Sequence, residues 1–103
     1  MSPEITQEQF SNNIHTTFRV QGEEGVEYAL ELVSLQKFPP TPGIEQFSLL
    51  FQGAAALLLP QRTYTLAHEV LGSLDIFLVP VGISPDRAFY QYEAAFNRFT
   101  KEV

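Results

Sequence analysis

Between Gln46 and Gly82 the chain reads QFSLLFQGAAALLLPQRTYTLAHEVLGSLDIFLVPVG, and this stretch limits the possible folds more than any other. It holds three apolar runs of strand length, glycine stops at Gly53 and Gly72, and an apolar loop punctuated by Pro60. Short runs rich in β-branched and aromatic residues, bounded by Gly and Pro, read as strands. No run approaches the ~18 apolar residues of a membrane-spanning helix. No two titratable groups within the stretch are spaced like a catalytic pair. The segment therefore specifies a β core and carries little chemistry.

The three strands expected here are 46–52, 63–67 and 73–81. Phe47, Leu49 and Phe51 share one face of the first. HEVLG, from His68 to Gly72, reads as a tight turn. The strand after it is apolar on both faces, with Leu74, Ile76 and Leu78 set against Phe77, Val79 and Val81. Such a strand is either covered twice or binds something on its outer side. Pro80 lacks an amide donor, so the strand must end, bulge or run along an edge there. The apolar connection Ala54–Leu59 would expose a patch unless it folds inward. Two readings stand: a short helical turn that plugs the core, ended by Pro60, or a contact with another chain.

The remaining segments agree with a β fold. Thr6 and Gln9 have capping-box spacing, flanked by Ile5 and Phe10 as a hydrophobic staple, which predicts a helix over 7–13 ended by Asn12 and Asn13. Glu8 lies in its first turn, where the helix dipole favours an anion. A helix this short cannot stand alone. It serves either as a lid over an open end of the β core or as a partner-binding element. From Ile14 the period changes to two, giving strands over 14–20 and 26–36 joined by a hairpin across QGEEG. In the second of these Tyr28, Leu30 and Leu32 alternate with Glu27, Ala29 and Glu31. FPPTPG, Phe38 to Gly43, can be neither helix nor central strand. A last strand spans 88–96, with Tyr90, Tyr92, Ala94 and Phe96 on one face. The fold class expected is all-β and mostly antiparallel. A six-stranded barrel or a two-layer sandwich, with a short N-terminal helix, fits these spacings in a single domain over 1–103.

Composition narrows the function. The net charge is −6, and the six basic residues are scattered along the chain. Nucleic-acid binders cluster Lys and Arg against phosphates, so neither nucleic acid nor an anionic membrane surface is expected as a partner. Cys is absent, which removes disulfides and thiolate metal sites. MSPEITQEQF lacks the basic and apolar regions of a secretory signal, and a cytoplasmic location is expected.

Candidate chemistry is thin. His15 and His68 are the two histidines, and neither has a second ligand at metal-site spacing. His68 is expected to close its turn by bonding to backbone. Glu27 and Glu31 lie two alternations apart on one strand face, ~13 Å by strand rise, too far for a carboxylate pair. The chain has no G-x-S-x-G elbow, no G-x-G-x-x-G fingerprint and no P-loop. Tyr64, Tyr90 and Tyr92 read as core aromatics with one wet end.

Several segments together carry a resemblance: Phe47 to Gly53, Leu59 to Leu66, His68, Leu71 to Gly72, Phe77 to Gly82, Tyr92 to Asn97 and Tyr28 to Val33. In this pattern the chain resembles a family of short bacterial proteins, about 100 residues long, with no assigned activity. The resemblance implies an association with phage-tail-like components. It transfers no catalytic residues.

The function expected is a non-catalytic structural or protein-interaction domain that needs no cofactor and no metal. Its partner is a protein, either a second copy or an assembly component. The candidate interface is Leu57, Leu58, Phe77 and Val79. The alternative is a small-ligand-binding or enzymatic small barrel.

Overall fold

The computed structural model describes residues 5–21, 27–39, 41–55 and 58–99. One short helix, α1 (Gln7–Ser11), precedes six strands. These are β1 (Thr17–Gln21), β2 (Glu27–Lys37), β3 (Ile44–Ala54), β4 (Arg62–His68), β5 (Gly72–Ile83) and β6 (Phe89–Phe99). All pairings are antiparallel, and the sheet closes into a barrel in the order β1-β2-β3-β6-β5-β4. Of the two layouts that strand spacing allowed, the barrel is the one formed.

The helix starts as its capping box dictates. The Thr6 hydroxyl accepts from the Gln9 amide at 3.0 Å, and the Gln9 side chain accepts from the Thr6 amide at 2.8 Å. It ends earlier than 7–13. Asn12 is the C-cap and Asn13 turns its side-chain amide back to the Gln9 carbonyl. His15 then takes a positive φ of 72°, 12–15 form a turn, and β1 begins only at Thr17. Phe10 is buried against Phe47 and Phe96, and those two rings stack at 4.7 Å. The helix is thus a lid on one end of the barrel.

The strands run longer than their apolar runs suggest, because ladder bonds continue past the last apolar side chain. β3 extends through Gly53 instead of stopping there. A Cβ at Gly53 would lie 2.6 Å from Leu30 Cδ2, so this glycine serves close packing in mid-strand. β2 carries an irregularity between Leu32 and Ser34, which moves Leu35 to the inner side in place of Ser34. β5 has a second one between Pro80 and Gly82, as a donorless residue requires. The turn expected across QGEEG and the start of β2 at Val26 lie outside the described residues.

Phe47, Phe51, Leu66, Ile76, Leu78 and Tyr92 are buried in the core. Phe96 is only partly buried, since it lies at the barrel end beneath the helix. Phe10, Phe18, Val20, Leu30, Leu32, Leu49, Leu59 and Tyr64 complete most of the interior.

Candidate functional site

Period-two alternation turns Ile76 and Leu78 into the barrel, so Phe77 and Val79 point out. Phe77 is 49% exposed and Val81, at the irregularity, 51% exposed, while Val79 is half-buried. The helix sits at the barrel end on Phe47 and Phe96, and it leaves this outer face uncovered. On the neighbouring strands the face meets Thr63, opposite Phe77, and Glu93, opposite Val79. It is an apolar strip with a polar border. Val81 completes the strip. The alternation of β5 signalled it, although it was not among the expected interface residues.

The apolar connection divides. Leu59 turns inward, and its amide donates to the Tyr92 hydroxyl at 3.0 Å. The Tyr64 hydroxyl donates to the Pro60 carbonyl beside it. Two core tyrosines therefore pin this loop at Leu59 and Pro60. Burial raises the pKa of both phenols, so both keep their protons near neutrality. Leu58 points the other way and is 50% exposed. Leu57 lies outside the described residues, and no helical turn forms among the described residues of the connection.

A second feature had no sequence signal. β5 pairs with β6 only from Val79 to Ile83, leaving Gly72–Leu78 and Ala94–Phe99 unpaired with each other. A groove of about 830 Å³ lies there, between these strands and α1. Ile5, Phe10, Leu74, Ile76 and Phe96 line it together with Arg98. Arg98 ties the region together. Its guanidinium donates to Glu45 at 2.8 Å and to the Ile5 carbonyl at 2.9 Å, and it lies over the Phe47 and Phe96 rings.

Among the described residues the titratable groups form no reacting cluster. Glu31 meets His15 at 3.1 Å, while Glu27 lies 3.9 Å from Arg19, so the two carboxylates take different partners. His68 Nδ1 accepts from the amides of Val70 and Leu71 at 3.0 and 3.1 Å, the backbone role expected of it. Hydrogen bonds from Ser84 first, and from the Ala88 amide, lower the Asp86 pKa and order the β5–β6 turn. Among the described residues no group of three His, Asp or Glu is placed to hold a metal, and no helix is long and apolar enough to cross a membrane.

No curated protein and no solved structure is similar to the chain at a significant level. A family model matches residues 5–96, nearly the whole barrel and its lid, and on that match the chain belongs to the DUF6916 family, a domain of unknown function.

Proposed function

We propose that this chain is a non-catalytic protein-interaction domain that docks another protein on the outer face of β5. The observation that carries the reading is the uncovered apolar strip of Phe77, Val79 and Val81. A strand in so small a barrel needs only one apolar face for its own core, so the second has another purpose. Leu58, exposed just ahead of β4, extends the candidate surface. The thin titratable chemistry favours contact over catalysis, with no cofactor or metal. The resemblance to short bacterial proteins found with phage-tail-like components suggests the class of assembly, in the cytoplasm.

Light scattering on the wild type, Phe77→Glu and Leu58→Glu tests this. Both positions are about half exposed, so both variants should fold. The expected result is an assembly, with itself or with a co-expressed tail-like component, that Phe77→Glu abolishes. Two folded variants with unchanged size and unchanged partner binding would remove the proposal's support.

The groove beside α1 favours a second reading, as a small-ligand domain, because its volume falls in the range of ligand pockets. A monomer that binds a small apolar dye, and loses it on Leu74→Arg, would support that reading over the first.

A further inference from the structure

Among the described residues the barrel closes between β1 and β4 through Arg19↔Ala67 and Val20↔Leu66. The next β4 residue is His68, and its ring packs on Phe18 with centroids 4.4 Å apart. His68 is buried, and both its nitrogens are engaged. Nδ1 accepts two backbone amides, so it carries no proton. The proton must therefore sit on Nε2, which donates to the Thr16 hydroxyl at 2.8 Å. Thr16 in turn donates to the Asn13 carbonyl. One neutral tautomer thus joins three elements: the turn Glu69–Leu71, the end of β4 and the connection from α1 to β1.

We propose that His68 is a proton-sensitive latch on the β1–β4 seam, and that its protonation releases the β4–β5 turn and the Thr16 connection while the β3–β6 ladder stays closed. A proton on Nδ1 would face two N–H groups. Both amides would lose their acceptor, and the ring could stay only if the turn moved.

From β1, Arg19 lines the same surface hollow. Glu69, in the turn, lines it too and favours the charged ring. From the connection, His15 is committed to Glu31, and from β5, Asp75 accepts from Thr65. Burial is the larger effect and lowers the imidazole pKa below its ordinary value near 6.5. The sign follows. The unfolded chain takes up the proton more readily than the folded one, so stability is full above about pH 6.5 and falls as the pH drops through the window below it.

Denaturant titrations from pH 8 to 5 on the wild type and His68→Asn test the latch. Asn keeps an acceptor near the Nδ1 position and does not titrate. The folding constant of the wild type should fall below pH 6.5 by up to about tenfold per unit more than that of His68→Asn. Should His68→Asn fail to fold, the wild type alone suffices. Its His68 should show the Nε2–H tautomer at pH 8. At pH 5 the amides of Val70 and Leu71 should lose protection from hydrogen exchange at least tenfold more than those of Phe51 and Tyr92. Equal pH slopes in wild type and His68→Asn, a proton on Nδ1 at pH 8, or unchanged protection at Val70 and Leu71 as His68 titrates would each overturn it.

Discussion

β3 and β6 pair without a break from Ile44↔Phe99 to Ala54↔Phe89, whereas among the described residues β1 and β4 share two residue pairs. Both ladders belong to one closed barrel, but they hold it differently. Along β3–β6 the backbone does most of the work, and Phe47, Phe51 and Tyr92 fill the space beneath. Along β1–β4 side chains add to the ladder, with His68 reaching Thr16 and packing on Phe18. Closure and strength are separate properties here. A barrel needs every seam to meet, but not every seam to be long.

The largest effect is expected at the strong ladder. Phe51→Ala empties a fully buried site and should cost about 3–5 kcal/mol in a denaturant titration. A loss below about 1 kcal/mol would mean that this face is not the core. Gly53→Ala comes next, at about 1–3 kcal/mol, because Leu30 must move within a filled interior to admit the methyl group. Tyr92→Phe should cost a similar or smaller amount, about 1–3 kcal/mol, by leaving the buried Leu59 amide without its acceptor. Its unfolding midpoint, compared with that of Tyr64→Phe, would show which tyrosine holds the loop. Native-state hydrogen exchange tests the contrast directly. Amides at Val20 and Leu66 should open at lower free energy than those at Phe51 and Tyr92. Equal protection in both regions would show that the barrel opens as one unit. The smallest effect on stability is expected at Phe77→Glu, within about 0.5 kcal/mol, because half of that ring already meets solvent. Its readout is association.

Much of the architecture was legible in local pattern. The capping box, the change from helical to period-two spacing, and the Gly and Pro punctuation are short-range signals. They located the helix and all six strands, and Pro80 announced the irregularity in β5. The apolar outer face of β5 was legible for the same reason, since alternation alone places Phe77 opposite Ile76 and Leu78. Gly53 was misread as a stop because a glycine in sequence does not say what approaches it. The split of the apolar loop, with Leu59 in and Leu58 out, depends on a hydroxyl from Tyr92, distant along the chain.

The elements and their faces follow from neighbours within a few residues and are written in the local pattern of the chain. Closure of the sheet, the parting of β5 and β6 that leaves a groove, and the bridge from His68 to Thr16 are set at the level of the assembled barrel. Each of these depends on register between strands far apart in the chain, and local alternation fixes which face a residue takes but not which partner it meets.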